Sequence, residues 1–359
     1  MSTILFATWD GGGNLSPELA IASELRDRGH QVRFLGHAGQ ADRVTEAGLG
    51  FAAYATSRPF TSQNPGTKLR LLGMLGDRAM GRDVIAELAA HPADLVVVDA
   101  LLFAVMQALR DSSHPYTVLE HCFDGFLRRA ARGPMGMVLR LRGLRPLDLI
   151  DAGQARIVAT LEELDAGHGE VTHVGGTVRG VPAEPRETLV LISLSTFSFP
   201  GLTKTWQRIL DAVDGLPAHV VATTGPAVDP DRLHAPANVE VHRWLPHAEI
   251  LPRASLVIGH GGLGTTTAAL AHDVPLLVLP LDIASDQPLV GRAVEHAGAG
   301  LSLSRRSSPA RLRAAIEDLL AKAPYRRAAA DLGARIREQD GRVRGADALE
   351  SLLSDSSRH

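Results

Sequence analysis

The segment Leu256-Val-Ile-Gly-His-Gly-Gly-Leu-Gly-Thr265 gathers the residue types that hold a phosphate. An apolar strand ends at Gly259 and a helix starts near Gly264. Gly261, Gly262 and Gly264 let backbone N–H groups approach a ligand at a helix terminus that favours negative charge. His260 adds a side-chain donor at the same place. The combination asks for a phosphate or a diphosphate. The Gly-x-Gly-x-x-Gly spacing of a dinucleotide site and the lysine of a P-loop are both absent, so those two readings are weak. A glycine-rich turn needed only for packing is the plainer alternative.

The elements around this segment alternate strand and helix. Ile4–Ala7 is an apolar strand, followed by the glycine cluster at 11–13, a helix over 17–28 with Pro17 in its first turn, and a strand over 31–35. Further strands are predicted at 94–98, 116–119, 156–159 and 171–173. Residues 179–186 carry two prolines without periodicity and read as a linker. A second alternation follows, with strands at 188–193, 219–222, 239–241, 256–259, 275–279 and 301–303, then helices from about 309 nearly to the end. Apolar strands joined by helices form parallel sheets. The expected architecture is α/β, with two doubly wound, Rossmann-like domains facing each other across a cleft. The boundaries are 1–180, a linker at 181–187, 188–335, and a C-terminal helix at 336–359 packing back on the first domain.

Composition agrees and excludes other classes. At 359 residues, 45 % apolar and 21 % charged, the chain has core enough for two domains of about 150 residues. A net charge of −3 gives no pull toward nucleic acid or an anionic membrane. Cys122 is the single cysteine, which rules out an intrachain disulfide and cysteine-rich metal sites. The N-terminus lacks the basic start and apolar run of a signal peptide, and the apolar stretch 95–109 is too short to span a bilayer and contains Asp99. A soluble, cytoplasmic protein is expected, with no stable membrane insertion.

His260-Gly-Gly-Leu-Gly-Thr265, Val274-Pro275 and Pro280-Leu-Asp-Ile-Ala-Ser-Asp-Gln287 together resemble the nucleotide-sugar signature of GT-B glycosyltransferases. The chain is most similar to the family-1 type that glycosylates natural products. The resemblance implies the two-domain fold and an inverting transfer from a nucleotide-sugar, here a co-substrate with no cofactor and no metal. It places Trp244, with Leu245 beside it, against the donor base, since a flat π-face is a tolerant platform for a nucleobase. It puts His260, Gly261, Gly262, Gly264 and Thr265 on the diphosphate, and Asp286 and Gln287 on the donor-sugar hydroxyls. Asp286 could equally be a helix N-cap. Ser195 and Thr196 fall where the family contacts phosphate through hydroxyls, although Ser195 replaces the usual glycine. Many UDP-sugar enzymes of the family carry a glutamate on the ribose eight residues after the motif histidine. Ala268 stands there, which points to a dTDP-sugar, plausibly of a 6-deoxyhexose, ahead of a UDP-sugar.

The family's catalytic histidine lies three residues before a proline in the loop after the first strand. That loop reads Thr8-Trp-Asp-Gly-Gly-Gly-Asn-Leu-Ser-Pro17, so Asn14 holds the position, and an amide is no base. The histidine's acidic partner matches Asp99. Asp10, in the same loop, is ranked first as the replacement base; His121, past a strand's carboxyl end, is the other candidate. An Asx-turn role for Asp10 and a satisfied strand-end histidine are the structural alternatives. An acidic acceptor positioned without any base is a third route. The hydrophobic acceptor, such as a polyketide or phenol, is expected on Phe103, Phe123, Phe126 and Met137. Arginines interleave the apolar residues between 121 and 146, so a solvated helix pair and a membrane-touching surface are alternatives. A non-catalytic partner of another glycosyltransferase, a lipid-acceptor enzyme and a sugar-nucleotide epimerase are the competing functions. A homodimer is the one self-association considered.

Overall fold

The computed structural model describes residues 1–62, 68–165 and 170–356; residues 357–359 of the expected terminal helix lie outside them. The chain divides into two compact units, Met1–Thr177 with Asp340–His359, and Val178–Gln339. Each is built on one parallel sheet.

In the first unit the strands are β1 Thr3–Ala7, β2 Gln31–Gly36, β3 Gly50–Ala53, β4 Leu95–Asp99, β5 Thr117–Glu120, β6 Arg156–Val158 and β7 Thr172–His173. They lie in the order β3-β2-β1-β4-β5-β6-β7. β4 is buried along its whole length, as its apolar run demands in a sheet covered on both faces. The chain winds outward from β1 through β2 and β3, then returns to add β4 on the other side. The β1–β4 boundary is therefore a switch point, and ligands of such sheets bind beyond the carboxyl ends there. β3 was not anticipated: its residues Gly-Phe-Ala-Ala carry little strand propensity, and pairing with β2 makes the strand.

The helix Leu15–Asp27 follows β1 and buries Ile21, Ala22 and Leu25 against the sheet. Gly29, at φ +93°, ends it in the left-handed conformation that a side chain disfavours. On the outer side of that helix lies the last one, Gly341–Ser356. Its Ala346 and Leu349 join Ile21 and Leu25 in one apolar cluster. Arg28 adds ion pairs to Asp347 (2.7 Å) and Glu350 (2.6 Å), and His30 approaches Glu350 at 2.9 Å.

The second unit contains β8 Leu189–Ser193, β9 His219–Thr223, β10 Val239–His242, β11 Leu256–Gly259, β12 Leu276–Val278 and β13 Gly300–Ser302. Their order, β10-β9-β8-β11-β12-β13, puts a second switch point between β8 and β11. The unit borders fall at 177/178 and 339/340, where 180 and 335 were expected. The proline-containing stretch 181–187 is bound to the second unit. Ala183 N–H donates to His272 O (2.9 Å), Glu184 N–H to Pro252 O (3.0 Å), and Arg326 to Ala183 O (2.6 Å).

Candidate active site

Three loops of the first unit meet at its switch point because their strands are in register: Ala7 pairs with Val98, and Asp99 with Leu119. Asp99 closes β4 and is buried. Its Oδ1 accepts from Leu101 N–H (2.9 Å). Its Oδ2 lies 2.9 Å from His121 Nδ1 and accepts from Asn14 Nδ2 at 3.0 Å. Burial alone would raise the Asp99 pKa, but the His121 charge and these hydrogen bonds hold it below the usual carboxylate range. A carboxylate at Nδ1 places the imidazole proton there and leaves Nε2 as the proton acceptor.

Asn14 sits at the N-cap position of the helix Leu15–Asp27 without capping it. Its amide instead donates to Thr8 Oγ1, Trp9 O and Asp99, which fixes its orientation. Gln40 donates to Trp9 O (3.0 Å) and Tyr54 to Thr8 O (2.9 Å), so the loop after β1 is braced from β2 and β3. Glu18, which sequence reasoning passed over, is also in this group. It is 2 % exposed and accepts from Thr8 Oγ1 at 2.5 Å. Burial and the Asp99 charge push its pKa well up. The available signal was spacing: Asn14 and Glu18 are one turn apart on the same helix face.

Asn14, Asp99 and His121 thus come together, and Asp10 does not join them. Its N–H donates to His37 Nδ1 (3.3 Å), and its carboxylate lies over Gly39, where a Cβ would stand 3.3 Å from Oδ2. Of the two candidate bases, His121 has the contact with Asp99, while the contacts of Asp10 run to His37 and Gly39. The apolar set also divides. Phe103, the first residue of the helix Phe103–Asp111, lies in the core cluster, and Phe123, just before the helix Asp124–Arg132, is buried as well. Phe126 is half-buried against the same core, and Met137 is exposed. Several of the arginines serve the fold: Arg128 pairs with Asp151 (3.0 Å), Arg140 donates to Ala131 O, and Arg142 to Leu72 O. No helix among the described residues is long and apolar enough to cross a membrane.

In the second unit Gly259 pairs with Ser193, which sets the loops after β8 and β11 side by side. The helix Leu263–Ala271 starts at Gly262 with no side-chain cap. Thr266 N–H makes the first intrahelical bond, to Gly262 O, so the N–H groups of Leu263, Gly264 and Thr265 point out of the helix end. Gly261 adopts φ +84°, and a Cβ there would meet Gln287 O at 2.9 Å. At Gly264 a Cβ would meet nothing within 4 Å. Packing therefore explains Gly261 and leaves Gly264 as an open approach to the helix end. His260 overhangs this end, with a buried Nδ1 that has no partner. Burial lowers its pKa to about 4, so it is a neutral donor at working pH.

Gln287 opens the helix Gln287–His296, and its Oε1 accepts from Leu281 N–H (2.7 Å) and Asp282 N–H (3.1 Å). Its side-chain oxygen is therefore committed to the loop before the helix. Asp286 occupies the N-cap position but makes no capping bond. Ser195 Oγ accepts from Phe197 N–H (2.9 Å), so the hydroxyl shapes the turn and keeps its own proton to donate; Thr196 is exposed. Trp244 follows β10 and is 72 % exposed, with Leu245 half-buried beside it. A large aromatic face left in solvent is what a stacking platform requires. No group of three or more His, Cys, Asp or Glu side chains suited to a metal occurs among the described residues.

Residues 207–340 match the family described as "Erythromycin biosynthesis protein CIII-like, C-terminal domain". The chain is 26 % identical over 434 residues to 4'-demethylrebeccamycin synthase of Lentzea aerocolonigenes, covering 98 % of this chain and 99 % of that one. It is 30 % identical over 323 residues to elloramycin glycosyltransferase ElmGT of Streptomyces olivaceus, covering 80 % and 82 %. Among solved structures, the glycotransferase of kitacinnamycin superposes with a TM-score of 0.83 at 23 % identity, covering 98 % and 99 %. Glycosyltransferase VinC in complex with dTDP gives 0.73 at 19 %, covering 98 % and 100 %. Two switch-point sheets, an uncapped glycine-rich helix end and relatives of this kind leave one assignment: the chain belongs to the natural-product glycosyltransferases of the GT-B fold.

Proposed function

We propose that this glycosyltransferase moves a deoxyhexose from a dTDP-sugar to a hydroxyl of a polyketide or phenol, with inversion and without a metal. The observation that carries this reading is the 2.9 Å contact of His121 with Asp99 at the switch point of the first unit. It supplies a base where Asn14 cannot. His121 Nε2 takes the acceptor proton as the oxygen attacks the anomeric carbon, and Asp99 stabilises the imidazolium that forms. Attack opposite the leaving diphosphate in a single displacement inverts the anomeric centre.

The departing charge falls on preorganised donors: the N–H groups of Leu263, Gly264 and Thr265 and the neutral His260 ring. Such donors act without a cation, each worth about 10²–10³ in turnover. Trp244 stacks on the base, while Gln287 and Asp286 hold sugar hydroxyls. Ala268 offers no carboxylate to a ribose 2′-OH, which supports a deoxyribose donor; the dTDP bound to the structurally similar VinC agrees with that preference.

Calorimetric titration with dTDP and UDP, followed by transfer assays on a polyketide and phenol panel in EDTA, tests the proposal. Tighter dTDP binding and undiminished turnover in EDTA are expected. Clearly tighter UDP binding removes the donor argument, and activity restored only by magnesium removes the metal-free one.

A further inference from the structure

Around the helix Pro134–Leu141 the first unit presents a surface that the reaction does not use. Residues 125–147 contain six arginines and no acidic residue, whereas the whole chain has a net charge of −3, so the rest of the molecule is net acidic. Met137 and Leu141 are 55 % and 84 % exposed. Four residues apart, they stand side by side on the outer face of the helix, while Gly136 and Leu139 are buried. Two large apolar side chains left together in solvent, rather than scattered singly, mark a contact surface. The cations around them are available. Arg129 and Arg132, on the preceding helix Asp124–Arg132, are exposed and have no ion pair among the described residues. Arg140 and Arg142 donate to Ala131 O and Leu72 O, both at 3.0 Å, which fixes the guanidinium groups without neutralising them. Arg78, also exposed, donates to Arg142 O (3.1 Å). Arg128 and Arg145 are the two with carboxylates nearby, Asp151 at 3.0 Å and Asp148 at 3.7 Å.

We infer that this face of the first unit docks on an anionic lipid surface, with Met137 and Leu141 entering the headgroup region and the arginines around them meeting lipid phosphates. Two apolar side chains within a cluster of cations give interfacial, reversible attachment. Charge complementarity selects the occupant. Each arginine without a carboxylate partner adds about fivefold to the affinity for an anionic leaflet. The net-acidic remainder of the chain is repelled by the same leaflet, which turns this face toward it. Lipid headgroups diffuse laterally and settle under each guanidinium, whereas a protein partner would need carboxylates set in register. The docking is independent of the donor and the base proposed above.

The test is sedimentation of the full-length protein with vesicles of phosphatidylcholine alone and of phosphatidylcholine with an equal share of phosphatidylglycerol, at low and high salt. Binding is expected to the anionic vesicles only, and it should weaken as salt screens the arginines. The double variant R129Q/R132Q should bind about thirtyfold more weakly, from two cations at about fivefold each. L141D should lose about tenfold, on the scale of about two buried CH₂ groups. All three side chains are exposed, so the thermal midpoints of both variants should match the parent, which separates lost docking from misfolding. Equal binding to both vesicle types, or none to either, would overturn the inference. So would anionic-vesicle binding that R129Q/R132Q or L141D leaves intact. A dimer in sedimentation velocity that L141D dissolves, without vesicle binding, would assign the face to a second copy of the chain instead.

Discussion

An imidazole with a buried carboxylate on one nitrogen has its proton placed before any substrate arrives. That is the difference between His121 and Asp10, and it sets the expected kinetics. H121Q should lose about 10²–10⁴-fold in kcat, the range for removing a general base, with KM close to the parent and the acid limb of the pH profile gone. D10N should stay within a few-fold, because the Asp10 carboxylate stands over Gly39 and the bond to His37 comes from the backbone N–H, which the substitution keeps. Steady-state turnover across pH 5–9 checks both, and the opposite ranking would return the base to the loop after β1. Asn14 has a different part: three donated hydrogen bonds tie the loop to Asp99, a task for an amide and not for a base. His121 is singled out in the sequence because it follows a predicted strand, and Asp99 because the resemblance matches it to the family's acidic partner. Their mutual contact was not legible there, since it depends on the β4–β5 register. Glu18 was hidden for another reason. A glutamate in the first turn of a helix reads as a partner of the helix dipole, and only tertiary packing shows that it points inward.

At the scale of elements, the sites share one construction: a parallel strand ends, a glycine-rich turn follows, and a helix begins with its N–H groups uncapped. Two of the glycines in the second-unit turn, Gly261 and Gly264, have separate duties that mutation can tell apart. Gly264→Val should leave the thermal midpoint unchanged or slightly raised, because Gly is a poorer helix former than Val by roughly 0.3 kcal/mol and the space beyond it is open. It should weaken dTDP binding at least about tenfold, as a branched side chain would stand over the N–H groups that receive the diphosphate. Gly261→Ala should instead lower the thermal midpoint, with φ +84° and Gln287 O at 2.9 Å both opposing a Cβ. Thermal unfolding and calorimetric titration on the pair give the answer; a Gly264→Val protein that binds dTDP normally would place the diphosphate elsewhere. Most strands were readable from apolar runs bounded by glycine or proline. The strand that was missed, β3, is a place where pairing with a neighbour rather than local pattern decides the structure.

At the scale of the whole molecule, the chain leaves the first unit at Thr177 and re-enters it at Asp340. The two crossings are stitched together inside the first unit: Gly341 N–H donates to Gly176 O at 2.9 Å, and a Cβ on Gly341 would come 2.5 Å from Gly175 O. The proline-rich stretch suggested a border because proline and glycine break periodicity; the structure moves the border because backbone hydrogen bonds, which composition does not reveal, dock 183–184 on the second unit. The returning helix Gly341–Ser356 covers Ile21 and Leu25 of the helix that carries Glu18 and Asn14. Its loss should be felt in the first unit alone. Leu349, fully buried in that cluster, gives the cleanest probe. Leu349→Ala should destabilise the first unit by about 2–5 kcal/mol, the range for a leucine cut back in a packed core. Calorimetric unfolding should then resolve an early transition from a later one, and dTDP should shift only the later one, because the residues assigned to the nucleotide all lie in Val178–Gln339. A single transition that moves as a whole, with dTDP raising all of it, would mean that the two units unfold as one cooperative body and that the returning helix stabilises both.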